Sequence, residues 1–287
     1  MARLFHKQPK KKRLGLYLLC LAGLLTGCHG DFTLPPTVPP AIPSYTPPAA
    51  ATPTPPLLPD SGWELLQPGL ERRNIFLLTE EGQPYEQLYL LRFAPTLFQF
   101  DVAYRPGQPQ TLTAWQAETG ALAVINGGYF TPEFTATGLI VVNGRASGVS
   151  YGDFAGMFVI TSTGETPQLR WLAQQPYDPA EPLHAALQSF PMLVKPGGHP
   201  GYTEPDNRPA RRTVVAQDRQ GRIIFLAAGW GTFTLYGLSQ FLSSSDLDIQ
   251  IALNLDGGAS TGILLAQPAE GLGTLATVPT VITVHAR

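Results

Sequence analysis

The chain has 287 residues, with 19 Lys and Arg against 21 Asp and Glu, five His and only two Cys. Six of the basic residues and none of the acidic ones precede Cys28, so the remainder carries a net charge of −8, which disfavours nucleic acid as a partner. Both cysteines, Cys20 and Cys28, lie near the N-terminus, so a disulfide framework and thiol chemistry are excluded for everything that follows.

Lys7, Lys10, Lys11, Lys12 and Arg13 form a basic cluster before an apolar run from Leu14 to Leu25. That run is shorter than the roughly 20 apolar residues a membrane span needs, and it fits the apolar region of an export signal. It ends in Leu25-Thr26-Gly27-Cys28, which resembles a bacterial lipobox. Residues 1–27 are therefore expected to be a signal peptide and Cys28 the lipidated first residue. The mature protein is expected to be extracytoplasmic and held to a bacterial membrane by that lipid. Residues 34–59 contain eleven prolines and no charge, a composition that favours extended polyproline II. Residues 28–59 thus read as a lipidated N-terminus and spacer, and residues 60–287 as one globular domain.

Within the domain, Phe98, Phe100, Val102 and Tyr104 alternate with Gln99, Asp101 and Ala103, the period of a half-buried strand. Thr113-Ala-Trp-Gln116 has a capping-box pattern and predicts a short helix. Residues 138–145 read as a strand entering an Asn143-Gly144 hairpin turn. Met157–Thr161 and the segment around Leu169 predict a second hairpin, and residues 213–228, turning at 218–221, a third. Leu235, Leu238, Phe241 and Leu242 recur at helical spacing after Thr234. Val281–His285 predicts a closing strand. The fold class expected is α+β: a mixed, strand-rich sheet core with a few helices.

Each predicted helix is followed by an apolar strand, a polar residue and two glycines. The first such end is Asn126-Gly127-Gly128 and the second Asp256-Gly257-Gly258. Paired glycines turn the chain sharply and bring backbone N–H groups close to a ligand. Asn and Asp are also ordinary turn formers, so spacing alone leaves both readings open.

Four stretches at these positions resemble the phosphodiester glycosidase family, to which the uncovering enzyme N-acetylglucosamine-1-phosphodiester alpha-N-acetylglucosaminidase belongs. They are Ile125-Asn-Gly-Gly-Tyr-Phe130, Ser189-Phe-Pro-Met-Leu-Val194, Arg211-Arg-Thr-Val-Val215 and Asn254-Leu-Asp-Gly-Gly-Ala-Ser260. They occur in the family's order; Ala259 stands where the family commonly shows a third glycine. The resemblance implies a hydrolase that cleaves between a sugar anomeric carbon and a phosphodiester oxygen, here in envelope or extracellular glycans. A non-catalytic glycan-binding envelope lipoprotein is the alternative.

Such a reaction needs the phosphate held, oxocarbenium charge stabilised and water delivered. Ordinary glycosidases add a proton donor for a poor leaving group. A phosphate monoester leaves more readily, its second pKa being about 6, so one carboxylate and a phosphate clamp suffice. Asp256 is the candidate carboxylate, as base for water or as partner of the anomeric cation. Arg212 is the candidate clamp, since guanidinium matches phosphate bidentately, with Arg211 beside it. Asn126 is the third catalytic candidate, binding a sugar hydroxyl or acetamido group, or else capping its turn. Gly127, Gly128, Thr213, Gly257, Gly258, Ser260 and Thr261 complete the candidate substrate-binding set, with Tyr129 as a stacking surface and Phe130 as either a stacking surface or a core residue. No cofactor is required. His184, His199 and His285 lack metal-ligand spacing, and Asp153, Glu204 and Asp206 are too sparse for a calcium loop, so no metal site is assigned.

Overall fold

The computed structural model describes residues 59–163 and 166–287. The predicted signal peptide, Cys28 and nearly all of the Pro-rich spacer lie outside the described residues.

The domain opens with a meander of β1 (Glu64–Gln67), β2 (Leu70–Leu78) and β3 (Pro84–Phe93). It continues through β4 (Phe98–Tyr104) and helix α1 (Leu112–Thr119) to β5 (Ala123–Asn126). Two hairpins follow, β6 (Ile140–Val142) with β7 (Arg145–Ser147), and β8 (Gly156–Thr161) with β9 (Gln168–Trp171). Next come β10 (Leu183–Ser189), β11 (Met192–Lys195), β12 (His199–Pro200), and the hairpin of β13 (Arg212–Asp218) and β14 (Ile223–Ala228). Helix α2 (Leu235–Ser244) leads to β15 (Ile249–Asn254) and a 3₁₀ turn at Gly258–Ser260. The hairpin of β16 (Ile263–Leu265) and β17 (Glu270–Leu272) precedes the last strand, β18 (Thr280–Ala286).

Three sheets result. The largest has the order β1-β2-β3-β14-β13-β15-β11-β12; the others run β7-β6-β10-β8-β9 and β17-β16-β5-β18-β4. Their inner faces share one core. Phe93 and Phe225 from the first sheet, Phe158 and Leu187 from the second, and Ile125, Ile263 and Ile282 from the third belong to it, all fully buried. Phe93 meets Phe225 at 5.3 Å and Phe100 at 5.8 Å, edge to face. Each such ring contributes about 1.5–3 kcal/mol through burial. Helix α1 packs Leu112 and Trp115 over Val124 and Val281, and α2 packs Leu238 and Leu242 over Leu193 and Ala252. The architecture is α+β and strand-rich, as the alternating patterns predict.

Two local expectations need correction. The cap of α1 is Thr111, not Thr113: its extended backbone aims its hydroxyl at Ala114 N, 3.2 Å away, so Thr113 falls inside the first turn. The strand before the second glycine pair ends at Asn254, leaving Leu255 and Asp256 in the turn beyond it. The Asn143-Gly144 turn forms as expected, with φ of 50° and 75°, the type I′ geometry that matches strand twist.

Candidate active site

The two glycine turns meet. Strand β15 lies antiparallel to β13, with Asn254 opposite Val214, so the end of one strand sits beside the start of the other. The end of β5 is bound to both. Gly127 O accepts from Asp256 N at 3.0 Å, Leu255 N donates to Thr213 O at 2.8 Å, and Gly258 N donates to Arg211 O at 2.8 Å. Asn126, Arg212, Thr213, Asp256 and Ser260 are thereby brought together from strands far apart in sequence.

Asn126 is the cross-link of this junction. It is fully buried, and all four hydrogen-bonding sites of its amide are engaged. Its Oδ1 accepts from Thr213 Oγ1 at 2.9 Å and Gly262 N at 3.0 Å. Its Nδ2 donates to Asp256 O at 2.7 Å and Gly127 O at 3.2 Å. Asn126 and Thr213, both candidates for contact with substrate, are fully buried within the fold, and Asn126 positions the Asp256 backbone. Asn126→Ala should leave several buried partners unpaired, at about 1–3 kcal/mol each. A loss of about 3 kcal/mol lowers Tm by roughly 6–12 °C in a domain of this size. A thermal melt within about 2 °C of wild type contradicts the cross-link.

The glycines serve the same junction. A Cβ on Gly127 would stand 2.5 Å from Thr280 Cγ2, one on Gly128 2.8 Å from Gln188 O, and one on Gly257 2.7 Å from Arg211 O. Gly127 N is also spent on Thr280 O, at 2.9 Å. The first pair thus permits close strand packing at the edge of the site. Gly258 has φ +60°, the left-handed conformation that favours glycine. Ala259 stays out of that region, so the missing third glycine costs no strain.

Asp256 is half-buried and within reach of solvent. Burial raises its carboxyl pKa above the ordinary value, while the Ser260 hydroxyl and the Gly257 N–H pull it partly back by hydrogen-bonding the charged form. Ser260→Ala should therefore raise that pKa further, and the acid limb of a pH–rate profile should move to higher pH. An unmoved limb means either that Ser260 does not touch the ionised carboxylate or that Asp256 does not set the limb. Thr261 is fully buried, and its hydroxyl has no partner among the described residues.

Arg211 and Arg212, adjacent where β13 begins, turn to different neighbours. Arg212 is 8% exposed; its Nε donates to Phe233 O at 3.0 Å and its Nη2 to Arg208 O. Two carbonyls thus fix the guanidinium plane, and Nη1 makes no hydrogen bond among the described residues. Burial lowers its pKa, opposed chiefly by Asp206. Arg211 instead gives Nη2 to Thr261 O at 3.1 Å and Gly273 O at 3.2 Å. It braces the loops beyond the 3₁₀ turn through Nη2, while its buried Nε has no partner among the described residues.

Tyr129 borders the site. Its hydroxyl accepts from Asn254 Nδ2 at 2.7 Å, and burial together with the Asp256 charge pushes its pKa up to about 12. Its ring lies 4.8 Å from Phe190. Phe130 stacks on Phe134 at 5.6 Å and packs against the cluster around Trp115, in line with the core-packing reading of this residue. Asn254, Ser189 and Phe190 are additions to the site. Asn254 Nδ2 also donates to Phe190 O at 3.1 Å, and the buried Asn254 Oδ1 and Ser189 Oγ lack partners among the described residues. All three lie inside the quoted motifs, which was the only signal of them.

These strand ends therefore gather a half-buried carboxylate, a fixed guanidinium and an aromatic border. The phosphodiester glycosidase family model matches residues 119–285, more than half of the chain and every residue of this junction. The chain belongs to that family. Its fold is similar to that of the zebrafish N-acetylglucosamine-1-phosphodiester alpha-N-acetylglucosaminidase catalytic domain, auto-inhibited by pro-peptide (TM-score 0.61, 18% identity, covering 77% of this chain and 85% of that one). It is also similar to that of a Synechocystis protein (TM-score 0.53, 17% identity, 77% and 62%), of which it spans less than two thirds. No curated protein sequence matches the chain.

Proposed function

We propose that the protein is a hydrolase that cleaves sugar-1-phosphodiesters between the anomeric carbon and the phosphate oxygen. The observation that supports it most is the placement of Asp256, half-buried with a raised pKa, in the same site as the immobilised Arg212. Arg212 holds the phosphate, and Asp256 either takes a proton from the attacking water or faces the anomeric cation. The C–O bond breaks, water supplies the new anomeric oxygen, and the phosphate departs as a monoester. Incubating the protein with a panel of sugar-1-phosphodiesters should release free sugar from at least one. Glycan binding without release would instead support a non-catalytic lipoprotein.

The reading includes an envelope location. It is supported by the basic cluster, the short apolar run and Leu25-Thr26-Gly27-Cys28. Cys28→Ser should abolish incorporation of labelled fatty acid; equal label on variant and wild type removes the lipid anchor from the account.

A further inference from the structure

Beside the site, the loop at residues 148–155 carries an aromatic group that the chemistry above does not use. Phe154 is 57% exposed, one of few large apolar side chains so placed among the described residues. Its ring lies 5.5 Å from Phe190 at 72° and 5.8 Å from Tyr151 at 50°, so it is not stacked face to face on either. Tyr151 meets Phe190 edge to face at 5.1 Å, and Phe190 continues to Tyr129 at 4.8 Å. An unbroken run of rings thus leads from the border of Asp256 out to solvent.

The loop is fastened in place. Tyr151 N donates to Gln188 Oε1 at 2.8 Å, and Gln188 Nε2 donates to Ser150 Oγ at 2.9 Å, with Gln188 itself buried. The Tyr151 hydroxyl bonds Thr137, and the ring lies over Gly138, where a Cβ would stand 2.4 Å from it. An exposed ring held on a braced loop, stacked face to face on no neighbour, is a binding surface more than a packing remnant. The segment carries Asp153 and no Lys or Arg, so its ligand is not the phosphate.

We propose that Tyr151, Phe154 and Phe190 form a platform that receives a pyranose ring of the substrate, the apolar C–H face of the sugar lying against Phe154. The proposal rests on the sugar-phosphodiester reading above. The ring comes from one of two sources, the sugar that is released or a sugar on the far side of the phosphate.

The test uses Phe154→Ala and Phe154→Leu in the full chain, with thermal melts confirming that each folds as wild type. Contacts of neutral methyl pyranosides (glucoside, mannoside, N-acetylglucosaminide) are read by saturation-transfer NMR. At least one should contact wild type, lose contact in Phe154→Ala and not be restored by leucine, which keeps bulk but lacks the ring. In turnover, KM should rise about three- to tenfold with kcat little changed, the factor expected for losing one aromatic contact. A rise with both methyl and pyranosyl phosphodiesters places the released sugar on the platform. A rise with the pyranosyl diester alone places the distal sugar there. Equal pyranoside contact in wild type and Phe154→Ala, or no contact in wild type, overturns the proposal. Contact that depends on Phe154, without turnover of any diester, upholds the platform and removes the catalytic reading.

Discussion

Asp256→Asn should abolish sugar release while leaving the fold intact. Asparagine keeps the size and still caps the turn before Gly257, but it carries no charge and takes no proton. General-base help is worth about 10²–10⁴-fold, so kcat should fall by at least 10². Stability should move the other way. Burial raises the folded carboxyl pKa, so the ionised form present at neutral pH is less favoured in the folded protein than in the unfolded chain. The stabilising contribution of a raised carboxylate is present at low pH and is lost as pH rises through its folded pKa. At neutral pH the Asn variant is free of that penalty, and its melting temperature should match or exceed wild type. A normal melt with near-normal kcat removes Asp256 from the mechanism. A lowered melt with proportionate loss of activity makes it a structural residue.

Arg212→Lys should lower kcat/KM about ten- to a hundredfold. The guanidinium is held by Phe233 O through Nε and by Arg208 O through Nη2, and the plane so fixed aims the remaining N–H groups. Lysine keeps the charge but has one nitrogen, which cannot bind both carbonyls and a phosphate in that geometry. Losing one charge-assisted bond costs about 1.5–3 kcal/mol, hence the factor. Unchanged kcat/KM moves the phosphate site elsewhere.

The alternating strand at residues 98–104, the Asn143-Gly144 turn and the α2 periodicity are legible in sequence because each is set by near neighbours. Strand β3 is not, since Leu88–Phe93 is buried on both faces and its apolar residues do not alternate. Asn126 shows the same limit at the site. Its partners Thr213 and Gly262 are 87 and 136 residues away, so nothing local separates an amide that meets sugar from one that ties strands together. Asn254 was visible only as part of a motif, because its partner Tyr129 lies 125 residues distant. Asp256 and Asn126 occupy the same local pattern, a buried strand followed by two glycines, yet Asp256 is half-buried and Asn126 sealed, a difference that only the tertiary pairing sets. The aromatic run through Tyr151 and Phe154 was invisible, since in sequence those residues sit in an ordinary glycine-containing loop.

The central claim concerns which bond breaks, and isotope position reports it directly. A sugar-1-phosphodiester that the protein turns over is hydrolysed in ¹⁸O-enriched water, and the phosphomonoester product is analysed by mass spectrometry. Cleavage at the anomeric carbon predicts an unlabelled phosphomonoester, with the new oxygen on the sugar. Label in the phosphomonoester means that water attacked phosphorus, and the protein is then a phosphodiesterase and not a glycosidase.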